Sequence, residues 1–403
     1  MPSETEGRAK TGRAQPKGGR DLRGRVRAMM HGIALGDALG APVEKLSAGE
    51  IARRYGRVTG LDVAWHKMAL PPSARNGRVR GGGIVTDDTL MSLCLIEVYA
   101  EVRRHLDAWD MADGMVRAIA WRSRWLPELQ REAPLIERLF YPEKWIFQRH
   151  QLASCDPRQG GIGNMVNCGA AMYVAPVGAV NACDPQAAYD EAIAFASGHQ
   201  ESYGLEAAGG FAAAVAAAFS PGADIDSVVE AVLSVTKDGT RAAVARIADE
   251  ARRMQGRSHA EVTAAFHRAI LPFSPMADDV ERRPETAGQP TAAYRPSRLG
   301  SIEELPLALG YALVNGGEYR ASLLDGINSG RDTDSIGVMI GAVLGAMHGE
   351  GCIDAADAAT LDRANRLDLG ATADGFTDII TEIHAADAAR RDAVARGRSE
   401  MGS

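Results

Sequence analysis

The chain has 403 residues, of which 46% are hydrophobic and 24% charged, with a formal net charge of −7. These values are typical of a globular protein and exclude an overall basic field that would attract nucleic acid. No apolar run approaches the roughly 20 residues that span a bilayer, so we expect neither a nucleic-acid nor a membrane partner.

The N-terminal segment is basic and polar, and it has no apolar core of the kind that signal peptides contain. Its composition predicts a disordered tail over residues 1–24. An arm for nucleic acid or membranes is the less favoured alternative. We expect a single domain over residues 25–398, followed by a short C-terminal tail at residues 399–403.

Helix-forming residues dominate the rest of the chain, with apolar positions three and four apart. The predicted helices are 26–39, 89–102, 108–121, 185–196, 204–219, 225–235, 241–254, 302–313, 319–327, 336–347 and 376–395. Strand signals are weak, because aromatic residues make up only 5% of the chain. The sequence therefore predicts an all-α fold, a compact multi-helix bundle. A proline-punctuated polar stretch at residues 271–305 is either a flexible insertion or a lid.

Small residues recur at helical spacing in two of these helices, at residues 32–40 and 337–346. This pattern predicts helix backbones that approach one another closely. Asp37 lies within the first of them and would be costly to bury unpaired, so we expect it to bond a helix end or another side chain. Glu44 follows in loop-like sequence, where it either enters a cleft as a general base or remains a solvated surface carboxylate.

Two acidic clusters are the strongest functional signal. They read Thr86-Asp87-Asp88-Thr89 and Asp332-Thr333-Asp334-Ser335. Each alone suits a helix cap, but a cap uses one side-chain oxygen and each cluster supplies two carboxylates. If the fold brings the clusters together, a hard divalent cation would relieve the repulsion, and oxygen donors suit Mg²⁺, Ca²⁺ or Mn²⁺.

Other motifs are weaker. The glycine-rich run at residues 160–169 either cradles a phosphate with its backbone N–H groups or forms a plain turn. His199 follows a helical run, and a lone histidine is more often packed or solvated than a ligand. Five scattered cysteines without C-x-x-C spacing argue against disulfides and zinc, and indicate a reducing, cytoplasmic compartment.

Taken in order, these elements resemble the ADP-ribosylglycohydrolase family. The matching segments are residues 32–44, 83–99, 163–180, His199 and 328–349. The resemblance implies an all-α fold with a centre of two Mg²⁺ ions, for which Mn²⁺ is a possible substitute. The family's first ligand set matches Thr86, Asp87 and Asp88. Its second matches Asp332, Asp334 and Ser335, with serine where many members have threonine.

The resemblance also implies the remaining site residues. Glu44 matches the carboxylate that members use near the scissile bond. Substrate contacts are implied for Gly163, Asn164, Asn167, Gly169 and His199. Arg331 stands where many members have glycine, and it contacts either an anionic group of the substrate or the neighbouring aspartates. The Met-Arg pair common in the family is absent, because the chain reads Met172-Tyr173.

The implied reaction is hydrolysis of an N- or O-glycosidic bond at ribose C1, with Glu44, Asp87 and Asp334 as catalytic residues. We expect an ADP-ribosylated protein or an ADP-ribosyl small molecule as substrate. One alternative is an N-glycosidase of a smaller nucleoside or nucleotide. Another is a catalytically silent, crystallin-like binding protein. The sequence leaves the oligomeric state open.

Overall fold

Helices make up most of the computed structural model, which describes residues 21–273 and 302–402. The α-helices are α1 (Leu22–Gly40), α2 (Ala48–Tyr55), α3 (Asp87–Val102), α4 (Ala108–Asp110), α5 (Tyr141–Phe147), α6 (Ala175–Val180), α7 (Pro185–Ala196), α8 (Ser202–Ala218), α9 (Ile225–Val235), α10 (Asp238–Arg253), α11 (His259–Ile270), α12 (Glu304–Val314), α13 (Tyr319–Asn328), α14 (Thr333–His348), α15 (Ala355–Asn365) and α16 (Leu369–Glu400). Shorter helical turns are Pro72–Arg75, Met111–Met115, Arg117–Trp121, Pro127–Leu129, Leu135–Glu137, Gln148–Leu152, Pro157–Gln159, Ala171–Tyr173 and Leu271–Phe273.

The fold is all-α, as predicted, and its strands are confined in the described residues to one hairpin. Strands β1 (Ser123–Leu126) and β2 (Arg131–Pro134) pair antiparallel. Helices α2, α5, α6, α11 and α15 were not predicted, although Ser47 and Glu50 form a capping box at the start of α2. Helix α1 begins at Leu22 and α16 ends at Glu400, so helix extends past both predicted domain limits. Most of the predicted tail and of the proline-punctuated stretch lies outside the described residues.

Helices α1 and α14 pack backbone against backbone along a seam of glycines, and each is the other's main packing partner. A Cβ on Gly32 would lie 2.1 Å from the carbonyl oxygen of Gly341, and one on Gly36 would lie 2.1 Å from that of Gly337. Any side chain here would force the backbones apart, so the close approach predicted from the small residues is confirmed.

The seam ends where the acidic clusters begin. At the C-terminal end of α1, the carbonyl oxygen of Gly40 accepts a hydrogen bond of 2.8 Å from the hydroxyl of Thr333 in the first turn of α14. Helix α3 starts nearby, because Asp37 Oδ2 accepts from the backbone N–H of Thr86 at 2.8 Å and from the hydroxyl of Thr89 at 2.6 Å. The predicted bond from Asp37 to a helix end is thus confirmed. One buried aspartate on α1 fixes the start of α3 beside that of α14.

One continuous apolar core surrounds this arrangement, with contributions from every long helix named above. Helix α8 lies against α6, α7 and α9, while α16 covers the outer side of α1. None of the helices in the described residues is both long and apolar enough to cross a membrane. The core therefore holds the ends of α1, α3 and α14 in fixed positions relative to one another.

Candidate metal centre

The two acidic clusters meet in space, although 247 residues separate the pair that joins them. The hydroxyl of Ser335 donates to Asp88 Oδ1 at 3.0 Å. Within the first cluster, the hydroxyl of Thr86 donates to Asp88 Oδ2 at 3.3 Å. All four aspartates of the two clusters are buried, and so are Thr86 and Ser335. The condition on which the metal-site prediction depended is therefore met.

Glu44 lies with the second cluster. Carboxylate oxygens of Glu44, Asp332 and Asp334 all fall within 4.8 Å of one another. The loop that carries Glu44 is held in place by two backbone bonds of 2.8 Å, from Lys45 N–H to the Arg331 carbonyl and from Arg331 N–H to the Leu46 carbonyl. Three converging carboxylates, with hydroxyl oxygens close by, form the donor set that a hard divalent cation prefers. The residues present thus fit the implied ion.

The electrostatics of the cluster favour a cation. Burial raises the pKa of Asp88 well above its ordinary value, and the charges of Asp37, Asp87 and Asp332 raise it further. Asp334 is affected in the same way by burial and then by Glu44, Asp332 and Asp88. Without a cation, these carboxyl groups favour protonation. A bound divalent ion would reverse that preference, because it stabilises the ionised form of each ligand.

A buried chain of arginines and acids supports the centre from one side. Arg138 contacts both Asp87 and Glu128. Glu128 also pairs with Arg80 at 2.7 Å, and Arg80 pairs with Glu44 at 2.6 Å. Burial alone would raise the pKa of Glu128, but Arg138 and Arg80 outweigh it and hold that pKa below its ordinary value. This chain of ion pairs fixes the position of Glu44 relative to Asp87.

Arg80, Glu128 and Arg138 were not among the predicted site residues. Arg80 stands directly before the glycine run 81–83 that leads into the first cluster, and this position is a local signal. Glu128 lies in the turn of the β-hairpin and Arg138 follows its second strand, in sequence that is typical of a polar surface. Their burial depends on tertiary packing, so no local signal distinguishes them.

The glycine-rich run packs around another carboxylate that was not predicted, Glu143 on α5. Asn167 donates its amide to Glu143 Oε1 at 3.2 Å, and a Cβ on Gly169 would lie 2.3 Å from the same oxygen. Gln200 holds Asn167 in turn, with its amide 2.6 Å from Asn167 Oδ1. Burial, followed by the charge of Asp87, raises the pKa of Glu143 to about 7. Gly163, which has φ of 83°, turns the run against Trp145.

Asn164 and His199 lie together but are directed at the protein rather than at a cleft. The amide of Asn164 donates to the carbonyl oxygens of Pro142 at 2.9 Å and His199 at 2.8 Å. The imidazole of His199 has no exposed surface and bonds the hydroxyl of Tyr173 through Nδ1 at 2.9 Å. Burial lowers the pKa of His199 to about 3, so the ring is neutral. These contacts hold the glycine run, and substrate contact by either side chain stays a prediction.

Two further contacts border the second cluster. The guanidinium of Arg331 donates to both carboxylate oxygens of Glu303, at 2.8 and 2.7 Å, which favours a structural role over the predicted substrate contact. The thiol of Cys168 donates to Asp332 Oδ2 at 3.3 Å. Cys168, Glu304 and Asp332 also place ligand atoms within 4.8 Å of one another. Asp332 thus stands between two groups of possible metal ligands.

Comparison with known proteins assigns a chain with this fold and this acidic site to a family. A model of the family described as ADP-ribosylglycohydrolase matches residues 19–390. The chain belongs to this glycohydrolase family.

Among similar proteins, the uncharacterized protein YegU of Escherichia coli is 27% identical over 352 residues, which cover 86% of this chain and 94% of YegU. An uncharacterized protein of Archaeoglobus fulgidus is 28% identical over 323 residues, 78% of this chain and 85% of that protein. A solved structure described as an ADP-ribosylglycohydrolase-related protein complex aligns with a TM-score of 0.56 at 20% identity, covering 89% of this chain and 99% of that chain. The last likeness concerns the fold alone.

Proposed function

We propose that the chain is a metal-dependent hydrolase that cleaves the glycosidic bond at ribose C1 of an ADP-ribosylated protein or an ADP-ribosyl small molecule. The observation that carries the proposal is the convergence of two distant acidic clusters and Glu44 in one buried volume. Carboxylates this close together favour a bound cation, and family membership supplies the reaction class. Without a cation to bind, the mutual repulsion of these carboxylates would oppose their being so close together.

The metal ligands in this proposal are Thr86, Asp87, Asp88, Asp332, Asp334 and Ser335, which would hold two Mg²⁺ or Mn²⁺ ions. Such a centre binds vicinal hydroxyls and supplies an activated water at neutral pH. Glu44 would orient the attacking water or accept its proton, and Arg80, 2.6 Å away, holds the Glu44 carboxylate in place. Asp87 and Asp334 stabilise the positive charge that develops at ribose in an oxocarbenium-like transition state.

The glycine-rich run provides the substrate side of the site. Gly163, with φ of 83°, and Gly169, where a Cβ would lie 2.3 Å from Glu143 Oε1, let the run pack closely here, and the Asn167 amide donates to Glu143. The smaller nucleoside or nucleotide remains the second candidate substrate. It is favoured by Tyr173, which stands in place of the family's arginine and is fully buried against His199. A silent binding protein is disfavoured, because every acidic position of the two clusters is retained.

The test is release of free ADP-ribose from arginine- and serine-ADP-ribosylated protein, measured with Mg²⁺, with Mn²⁺ and with EDTA. We expect metal-dependent release, which Asp334→Asn lowers at least about 1,000-fold because a ligand is lost. Asp62→Asn, at an exposed position, is the matched control and should retain activity. Thermal unfolding of each variant separates loss of chemistry from loss of fold.

Two outcomes would contradict the proposal. Full activity of Asp334→Asn, or of Asp87→Ala, would remove the metal centre from the mechanism. Release that continues undiminished after exhaustive chelation would do the same. If neither modified protein is hydrolysed but phosphorylated or free nucleosides are, the second substrate class replaces the first.

A further inference from the structure

A half-exposed phenylalanine beside the acidic centre is surrounded by cations. The ring of Phe140 is 39% exposed. The Arg78 guanidinium lies 4.7 Å from its centroid, the Lys45 ammonium 5.2 Å and the Arg138 guanidinium 5.3 Å. We call these four residues the cationic rim. One ring attracts a cation at its face, yet three cations around it repel one another.

The rim lies one contact away from the acidic centre on two sides. Arg138 contacts Asp87 of the first cluster. Lys45 directly follows Glu44, and its ammonium lies 3.4 Å from a Glu44 carboxylate oxygen. The Lys45 side chain is 45% exposed, and Phe140 is also open to solvent. The rim therefore borders the acidic centre on a side that solvent reaches.

Arg78 distinguishes the rim from the buried ion-pair chain behind it. Arg80 is paired with three carboxylates, those of Glu44, Glu128 and Asp334, whereas Arg78 makes no ion pair within the described ranges. Its guanidinium donates instead to the Arg138 carbonyl oxygen at 2.6 Å. Burial and then the charge of Arg138 lower the pKa of Arg78, against the opposing charges of Glu128 and Asp87. An anion at this point would be stabilised by charges that the protein has already oriented.

We infer that the cationic rim binds a phosphate of the ribosyl substrate through Arg78 and Lys45, with the Phe140 ring as its apolar wall. This inference rests on the proposed function and narrows the substrate to ribosyl compounds that carry phosphate. Arginine suits phosphate, since its planar donors match the phosphate oxygens in pairs. The phosphate lies beside cations while the ribose reaches the acidic centre, so the two ends of the substrate meet opposite charges.

The test compares kcat/KM for a 5′-phosphorylated ribosyl compound with that for its unphosphorylated counterpart, in the presence of Mg²⁺. The wild-type enzyme should prefer the phosphorylated compound. Arg78→Met, which keeps the apolar stem, should lower that preference about 10- to 100-fold by loss of a charged hydrogen bond. Arg78→Lys should restore part of it. Arg252→Met, at an exposed arginine of α10, is the matched control and should leave the preference unchanged.

A second measurement separates failure of this inference from failure of the proposed reaction. Calorimetric binding of ADP-ribose needs no turnover, and Arg78→Met should weaken it by the same factor. The inference is overturned if Arg78→Met alters turnover of both compounds equally, since Arg78 then acts only through Arg138. Unchanged ADP-ribose binding in a folded Arg78→Met protein would overturn it too.

Discussion

The glycine seam joins α1 to α14, and the acidic centre lies at its end, where α14 meets the start of α3 and the Glu44 loop, yet opposite kinds of interaction hold the two regions. Along the seam, α1 and α14 touch through backbone atoms, and the glycines that line it carry no charge. At its end, the helix starts and the Glu44 loop gather four aspartates and a glutamate. Shape fixes the first region, and charge balance fixes the second. The tightly packed seam holds like charges at a distance that they would not adopt unaided.

The largest expected effect comes from the charge side of this comparison. Glu128 is buried between Arg80 and Arg138. Glu128→Gln removes the negative charge that two buried guanidinium groups share. We therefore expect a loss of about 3–5 kcal/mol in the free energy of unfolding. Urea unfolding at neutral pH measures it. Glu132→Gln, at an exposed glutamate in the same hairpin, should change stability little. A loss below about 1 kcal/mol for Glu128→Gln would show that the chain of pairs does not depend on it.

The seam should respond to a single methyl group. Gly32→Ala places a Cβ 2.1 Å from the Gly341 carbonyl oxygen, where only a backbone shift can accommodate it. We expect a loss of about 3 kcal/mol. Gly375→Ala, in the middle of α16, places its Cβ in open space and should instead raise stability by up to about 1 kcal/mol. Equal effects of the two substitutions in thermal unfolding would contradict the close approach.

The smallest effect should come from charges that solvent reaches. His105 is half exposed and bonds Glu191 and Asp387, which join α7 to α16. The Glu191 hydrogen bond, opposed by burial, raises the pKa of His105 to about 9 from 6.5. The protonated form is favoured in the fold, so this stability is complete below pH 6.5 and disappears as pH rises through about 9. Solvent screening limits it to about 1 kcal/mol.

The variant His105→Gln isolates this contribution. Between about pH 6 and about pH 10, the wild-type protein should lose stability that the variant does not lose. The readout is the difference between the two proteins in denaturant midpoint, because other groups titrate equally in both. Parallel pH curves would mean that His105 contributes nothing to the link between α7 and α16.

Much of the architecture was predictable because its signals are local. The small residues of α1 and α14 predicted the seam, and the burial cost of Asp37 predicted its bond to a helix end. The acidic clusters could be recognised because each carries more carboxylates than a helix cap uses. The apolar pattern also predicted most of the long helices, but it missed α11, the polar α15 and the short helices α2, α5 and α6.

The supporting groups of the site were not predictable, since their environment is made by distant parts of the chain. Arg138 resembles a surface arginine until Asp87 and Glu128 are placed beside it. Glu143 becomes notable only when the glycine run closes over it. Arg331 presented the converse case, because its position next to Asp332 suggested a ligand contact while its guanidinium turns to Glu303. Charge alone does not tell which partner a side chain finds.

The seam has a consequence for how the protein is made. Its two helices are 293 residues apart where Thr333 bonds Gly40. At a synthesis rate of 5–20 residues per second, α1 waits about 15 to 60 s for the helix that covers its glycine face. During that interval the first acidic cluster, at the start of α3, also lacks the second, so an unfinished chain has only part of the acidic centre. A chain released before α14 is made exposes apolar surface and lacks the second acidic cluster, which makes it a substrate for chaperones and proteases.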